Sequence, residues 1–202
     1  QDDKKYLTRQ ALTYISLIWW IDTSRIENNE PDASVIDNTI KFDNEYHKDL
    51  YSSCKNQLDL VFAYIQQLSS MNLDKDDRKE LDILLVWFIW LSNAIKSTEN
   101  IRENINTLRD TIDPNVRTLY YELLVIIIRL NKAIYIKIGR IPLSWKEDIY
   151  DVIEDMRTYR NTILSHIAPY VVNGNVGDMD VSSLVNMNGE LTDCIKNMAK
   201  II

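Results

Sequence analysis

The 202-residue chain is poor in the residues that make tight turns, with only four glycines and four prolines. A β-rich fold of this length would need more of them, so their scarcity favours a helical protein. Hydrophobic residues make up 46% of the sequence, which is enough for a substantial core. We therefore expect one all-α domain, residues 1–202: a helical bundle of about six helices that includes long antiparallel pairs.

Cysteine and long apolar runs are scarce as well. Cys54 and Cys194 have neither the number of a disulfide framework nor the spacing of metal ligands, so a reduced, cytoplasmic protein is expected. A single bridge between the two stays an alternative, as does a processed, secreted chain. No apolar run approaches the roughly 18–20 residues that a membrane span needs, so no membrane span is expected.

Charge of one sign dominates, because the net charge is −7, and this opposes non-specific binding to polyanions. The charge is uneven, however. Residues 21–50 hold eight acidic and three basic residues, a net of −5, and residues 114–140 hold five basic residues and one acidic residue, a net of +4. The acidic segment suits a protein or antitoxin partner. The basic segment is either a solvated helix face or a local positive field for a polyanion.

Apolar residues recur at helical spacing along most of the chain. The predicted helices span about 4–22, 44–69, 74–111, 114–138, 144–167 and 181–202. The third of these is either one very long helix or a kinked pair.

Local signals predict where several helices begin and end. Asp74 is a predicted N-cap, and Pro114 opens the fourth helix. Gly139 ends that helix. A capping box that starts at Ser144 opens the fifth helix, and Pro169 should end it near residue 167, because the residue before a proline is biased away from helical angles.

Arg160 interrupts the hydrophobic pattern of the fifth helix. On a helical wheel it falls inside the apolar face, between Met156 and Ile163. Burying a guanidinium is costly unless a partner meets its charge. Either Arg160 snorkels to solvent or pairs with a carboxylate of a neighbouring helix, or the face borders a cleft or dimer seam where Arg160 offers a cation to a phosphate.

His166 follows six residues later, near the end of the same helix, where the helix dipole favours the imidazolium. An ordinary histidine pKa near 6.5 already permits proton transfer around neutrality. Six residues correspond to about 240° and about 9 Å on a regular helix. A distorted last turn, or a second subunit, would therefore have to bring Arg160 and His166 to one phosphate.

The stretch Arg160-Asn161-Thr-Ile-Leu-Ser-His166 resembles the signature of the HEPN superfamily, the higher eukaryotes and prokaryotes nucleotide-binding proteins. That signature is an arginine, usually followed by a polar residue, and a histidine. Four to six residues lie between the arginine and the histidine, and here there are five. A bundle of long helices, with the motif late in a helix and one closing helix after it, is most similar to HEPN proteins of the abortive-infection type.

The resemblance implies a metal-independent endoribonuclease without cofactors, acting as a homodimer in toxin–antitoxin or antiphage (antiviral defence) systems. In that reading His166 moves protons, Arg160 stabilises charge on the phosphoryl oxygens, and Asn161 orients a neighbour. The candidate RNA-binding residues are Arg157, Tyr159, Arg129 and Lys132. The alternative is a non-enzymatic helical interaction protein, either an inactive HEPN scaffold or a secreted pathogen effector that binds a host protein through residues 21–50.

Overall fold

The structure, a computed structural model, describes residues 2–19, 21, 44–140, 142, 147–172 and 181–201. This part of the chain has seven helices and no strand, which confirms the predicted all-α bundle. The helices are α1 (Asp2–Ile18), α2 (Asn44–Ser69), α3 (Lys75–Asn100), α4 (Arg102–Asp110), α5 (Pro114–Lys137), α6 (Ile149–Val172) and α7 (Val181–Lys200).

The long third segment is a kinked pair rather than one helix. The break is at Ile101, whose backbone angles (φ −109°, ψ 5°) leave the helical region and whose N–H bonds to Thr98 over three residues. A tightened last turn of this kind is a common way for a helix to end. The change in direction lets α4 bury Ile105 and Leu108 in the core.

The helix α1 runs antiparallel to α5. The Oγ of Ser16 lies 2.8 Å from Asn131 Oδ1 of α5, and the Tyr120 hydroxyl donates to the Trp19 carbonyl at 3.1 Å. From Ser16 to Trp19, at the end of α1, the partners run backward along α5 from Asn131 to Tyr120. The first turns of α1 consequently lie beside the last turn of α5.

The helix α7 closes the bundle by packing antiparallel along α3. Thr98 Oγ1 lies 3.3 Å from the sulfur of Cys194, and the Lys200 ammonium lies over the Trp90 ring, 5.7 Å from its centre. Cys54 is buried elsewhere, with its sulfur near the Gln10 carbonyl of α1. Both cysteines are free and buried, so the bridge between them is not formed.

Two predicted boundaries of α6 are wrong. The helix begins at Ile149 rather than near residue 144, and it continues past Pro169 to Val172 rather than ending near residue 167. A proline disfavours helical angles in the preceding residue but does not exclude them, so its presence alone did not end the helix.

Other predictions concern parts of the chain that lie outside the described residues. They are most of the acidic segment 21–50, the predicted cap Ser144, and the polar loop between α6 and α7.

Candidate functional site

The helix that carries the motif starts from a cap other than the predicted one. Asp148 accepts a hydrogen bond from the Tyr150 N–H at 2.9 Å, and its carbonyl accepts from the Val152 N–H at 3.2 Å. This is the pattern of an N-cap residue. Glu147, predicted to close the capping box, contacts Arg129 of α5 instead.

Arg160 is exposed on α6, although the helical wheel places it at the angle of the apolar face. Tyr159, one residue earlier, donates from its hydroxyl to the Leu119 carbonyl at 3.3 Å, only five residues after α5 begins at Pro114. Between Pro114 and Leu119, the first turn of α5 is largely exposed, and Arg117 is one of its exposed residues. The contact with Leu119 belongs to Tyr159, which points about 100° away from Arg160 around the helix.

The side chain of Arg160 makes no hydrogen bond or ion pair with any residue in the described ranges, and Asn161 beside it is exposed as well. The first explanation of Arg160 has two forms. The described ranges show no carboxylate partner for it, whereas the exposed side chain agrees with the other form, in which Arg160 reaches solvent. An exposed guanidinium can accept an anion from solvent, and its planar fork suits two phosphate oxygens.

His166 occupies a backbone position within the same continuous helix, which extends for six residues beyond it. Its side chain lies outside the described part of the structure. Because the helix continues through this region, the backbone positions of Arg160 and His166 remain about 9 Å apart along the axis and about 240° apart around it. Of the two predicted ways to bring them together, an unbroken helix favours the second subunit.

Two predicted RNA-binding residues of α6 have different surroundings. Arg157 is exposed and pairs with Glu154 at 2.5 Å, one turn earlier on the same helix. Tyr159 is half-buried between α5 and α6, where burial, with a further contribution from Glu122, raises its pKa above the ordinary tyrosine value. Arg157 is therefore open to solvent, whereas Tyr159 packs in the seam between the two helices.

The other two predicted RNA-binding residues lie on α5. Arg129 donates from Nε and Nη2 to one oxygen of Glu147, at 3.1 and 2.8 Å, and its Nη1 also pairs with Asp155. Two carboxylates of the α6 region thus hold this guanidinium. Lys132 is half-buried one turn later. The contacts of Arg129 join α5 to α6, and its role toward RNA stays a prediction.

A positively charged site that the sequence analysis did not identify lies where α1 begins and α5 ends. Two adjoining grooves there share Lys5 and Ile138. The first, of about 360 Å³, is lined by Lys5, Tyr6, Arg9, Ile138, Gly139 and Arg140. The second, of about 350 Å³, is lined by Lys4, Lys5, Thr8, Trp87, Lys137, Ile138 and Ile201. We call the two grooves together the basic cleft.

The five cations of the basic cleft come from two segments that are far apart in the sequence. Counting charge along the chain therefore found Lys137 and Arg140 within the basic segment 114–140 but did not join them to the cations of α1. Lys4, Lys5 and Arg9 belong to α1, whereas Lys137 and Arg140 lie at the end of α5 and just after it. Only the antiparallel pairing of α1 with α5 brings these groups together. A pair of basic clusters at the start of one helix and the end of another was the available signal.

Several large hydrophobic side chains of α2 and α3 are exposed, and they are distributed around the two helices. They are Leu60, Phe62 and Tyr64 of α2 and Ile83, Val86 and Ile89 of α3, and we call them the exposed apolar residues. A groove of about 670 Å³ includes Ile83, Asp77 and Glu80 in its lining. Large exposed apolar side chains can take part in binding another molecule.

In the part of the chain that the structure describes, one helix, α3, is long and apolar enough by length and composition to cross a membrane. The core helix of a folded domain passes the same test, and α3 buries Trp87 and Leu91 against the rest of the bundle. Within the same ranges, no three His, Cys, Asp or Glu side chains are grouped so that they could hold a metal ion.

Comparison of the chain with protein-family models, curated proteins and solved structures finds no match.

Proposed function

We propose that the chain is a metal-independent endoribonuclease of the HEPN type, acting as the toxin or effector of a toxin–antitoxin or antiphage system. One observation carries the proposal: an exposed guanidinium, Arg160, precedes Asn161 and shares a helix with His166 in an all-α bundle. Because Arg160 makes no ion pair within the described ranges, a phosphate can approach it without displacing a carboxylate.

The proposed reaction uses the 2′-hydroxyl of RNA as the nucleophile. Its oxygen forms a bond to the adjacent phosphorus while the bond to the 5′-oxygen breaks, which leaves a cyclic phosphodiester on one product and a hydroxyl on the other. His166 takes the proton of the nucleophile or gives one to the leaving oxygen, and Arg160 stabilises the negative charge on the phosphoryl oxygens. DNA lacks the nucleophile and is not cut.

The proposal includes a homodimer, because the backbone positions of Arg160 and His166 on one continuous helix lie on different sides of that helix. In a twofold-symmetric dimer each site takes Arg160 from one subunit and His166 from the other. Mixing Arg160→Ala with His166→Ala then restores activity, since one of the two sites in each hybrid dimer is intact. With free exchange, half of the dimers are hybrids, so about a quarter of the wild-type activity is expected.

The direct test is cleavage of end-labelled RNA by the purified protein in EDTA. Wild type should cut RNA but not DNA of the same sequence, and Arg160→Ala and His166→Ala should each lose cleavage. Arg78→Ala is the matched control, because it removes an exposed arginine of α3 that is not among the predicted site residues. Full cleavage by His166→Ala would remove the site assignment.

A second candidate function, a non-enzymatic interaction protein, is favoured by the exposed apolar residues of α2 and α3. Leu60 and Ile83 are 72% and 53% exposed, which is unusual for large aliphatic side chains. If these residues join two copies of the chain, Leu60→Asp with Ile83→Asp should convert the dimer to a monomer in sedimentation. Ile112→Asp, at an exposed side chain between α4 and α5, should not. Self-association of this kind without RNA cleavage would favour the second candidate.

A further inference from the structure

We propose that the basic cleft binds single-stranded nucleic acid, with phosphates held by its lysines and arginines and a base stacked on Tyr6. The cleft lies at the end of the bundle away from Arg160. Tyr159 is level with Leu119, and Lys137 lies 18 residues further along α5, which corresponds to about 27 Å along the helix axis. The inference therefore does not rest on the proposed nuclease site.

Charge is the first reason for this assignment. Five cationic residues line the two grooves, and none of the described lining residues is acidic, although the protein as a whole carries a net charge of −7. At physiological ionic strength the Debye length is about 8 Å, so a phosphate in the cleft responds to these nearby cations more than to distant acidic residues. A local excess of this kind supports polyanion binding on an acidic protein.

The end of α5 gives the cleft a defined wall. Gly139 has a positive φ of 76°, and its N–H bonds to the Ile136 carbonyl while the Arg140 N–H bonds to the Tyr135 carbonyl at 2.8 Å. These two bonds form a Schellman motif, which satisfies the last carbonyls of the helix. The motif turns the chain so that Arg140 joins Lys5 and Arg9 in lining the first groove.

Tyr6 is the reason for choosing nucleic acid rather than an isolated phosphate. Tyr6 is 54% exposed as a residue, and it lines the same groove as Lys5, Arg9 and Arg140. An aromatic ring among cations is the arrangement that non-sequence-specific proteins use to bind single strands, because every base has a face that can stack.

The shape of the basic cleft supports the same ligand. Two adjoining grooves that share Lys5 and Ile138 form a track for a chain of phosphates rather than one closed cup. An anionic lipid would need an apolar groove for its acyl chains. The groove of about 670 Å³ near Ile83 shares only Lys4 with the basic cleft. Its lining includes Asp77 and Glu80, whose carboxylates repel an anionic headgroup.

The test is fluorescence anisotropy of the full chain with a labelled single-stranded DNA oligonucleotide, which cannot be cleaved through a 2′-hydroxyl. Each phosphate contact to a single strand contributes about −0.7 to the slope of log K against log salt, so four or five contacts predict a slope of about −3. Lys5→Gln and Arg140→Gln should each weaken binding and each lower the magnitude of the slope by about 0.7.

Stacking has its own test at Tyr6. Tyr6→Ala should weaken binding between about fivefold and a hundredfold with little change in the salt slope, whereas Tyr6→Phe should retain affinity. Lys96→Gln is the matched charge control, because Lys96 is exposed and nine residues from Trp87, on the opposite side of α3. It should leave both affinity and slope unchanged. Circular dichroism confirms that each variant is folded.

Absence of oligonucleotide binding by folded wild type at low salt overturns the proposal, as does binding that the Lys5, Arg140 and Tyr6 variants leave unchanged. Binding of phosphatidylserine vesicles that these variants abolish, without oligonucleotide binding, also overturns it. The result is separable from the nuclease proposal, because Arg160→Ala and His166→Ala should abolish RNA cleavage and leave DNA binding in the cleft intact.

Discussion

Arg129 joins α5 to the start of α6, and its removal tests whether this contact stabilises the fold. Its Nε and Nη2 donate to Glu147, whose side chain is only 11% exposed, while its contact with the more exposed Asp155 adds less. Hydrogen bonds to charged groups contribute about 1.5–3 kcal/mol, and an exposed ion pair at most about 1 kcal/mol. Arg129→Met should therefore lower the free energy of unfolding by about 2–3 kcal/mol.

A double-mutant cycle isolates the pair. Arg129→Met, Glu147→Gln and the double variant are unfolded in urea and followed by far-ultraviolet circular dichroism, with linear extrapolation to water. We expect a coupling energy of about 2 kcal/mol, because each single change leaves a partly buried charged or polar group without its partner. Arg157→Met, which removes an exposed pair on the same helix, should change stability by less than about 0.5 kcal/mol.

A coupling energy below about 0.5 kcal/mol would refute the assigned contact between Arg129 and Glu147. The same Arg129→Met variant tests the predicted RNA-binding role. If it loses RNA cleavage under conditions where circular dichroism shows it folded, Arg129 also contributes to RNA binding; unchanged cleavage limits Arg129 to joining the helices.

Three further predictions concern stability. Gly139→Ala should lower the free energy of unfolding by about 1 kcal/mol, because the φ of 76° at this position disfavours a Cβ. Gly189→Ala should raise it by about 0.5–1 kcal/mol, because this mid-helix glycine has open space for a Cβ. Urea unfolding that shifts both variants in the same direction would contradict this pair of predictions. Asn131→Ala should lower the free energy of unfolding by about 2 kcal/mol in the same measurement, because it removes a buried hydrogen bond to Ser16 of α1 and another to the Ile127 carbonyl of α5. A loss below about 0.5 kcal/mol would exclude these bonds. Burial raises the pKa of Cys194 from 9.0 to about 12, and it raises the pKa of Cys54 as well. Between about pH 9 and 11 the unfolded chain therefore loses thiol protons that the folded chain keeps. The free energy of unfolding consequently falls as the pH rises. Cys194→Ala should make that fall shallower by about 1.4 kcal/mol per pH unit, and unfolding curves with equal slopes in both proteins would refute the shift.

Much of the fold was predictable because helix signals are local. Asp74 caps α3 as predicted, accepting hydrogen bonds from the N–H groups of Asp76 and Asp77. Pro114 begins α5, and Gly139 follows its end in a positive-φ conformation. Each of these signals acts within one turn of the helix, so it could be recognised without knowledge of the neighbouring helices.

The candidate site was less predictable, because exposure depends on what lies opposite a residue. The helical wheel placed Arg160 at the angle of the apolar face, but a wheel does not report what lies opposite that position, and the side chain is exposed. Arg129 was predicted to bind RNA from its charge alone, whereas its carboxylate partners come from a separate segment. Such pairings depend on the relative height of two helices, which periodicity does not report.

The sequence by itself determined an all-α bundle and most of its helix boundaries, because amphipathic periodicity and caps are properties of short segments. Only the tertiary structure decided which charges are neutralised, which are exposed and which converge. Antiparallel pairing of α1 with α5 brings Lys5 beside Arg140 across more than half of the chain. Packing between helices sets that proximity, and a linear pattern of residues does not encode it locally.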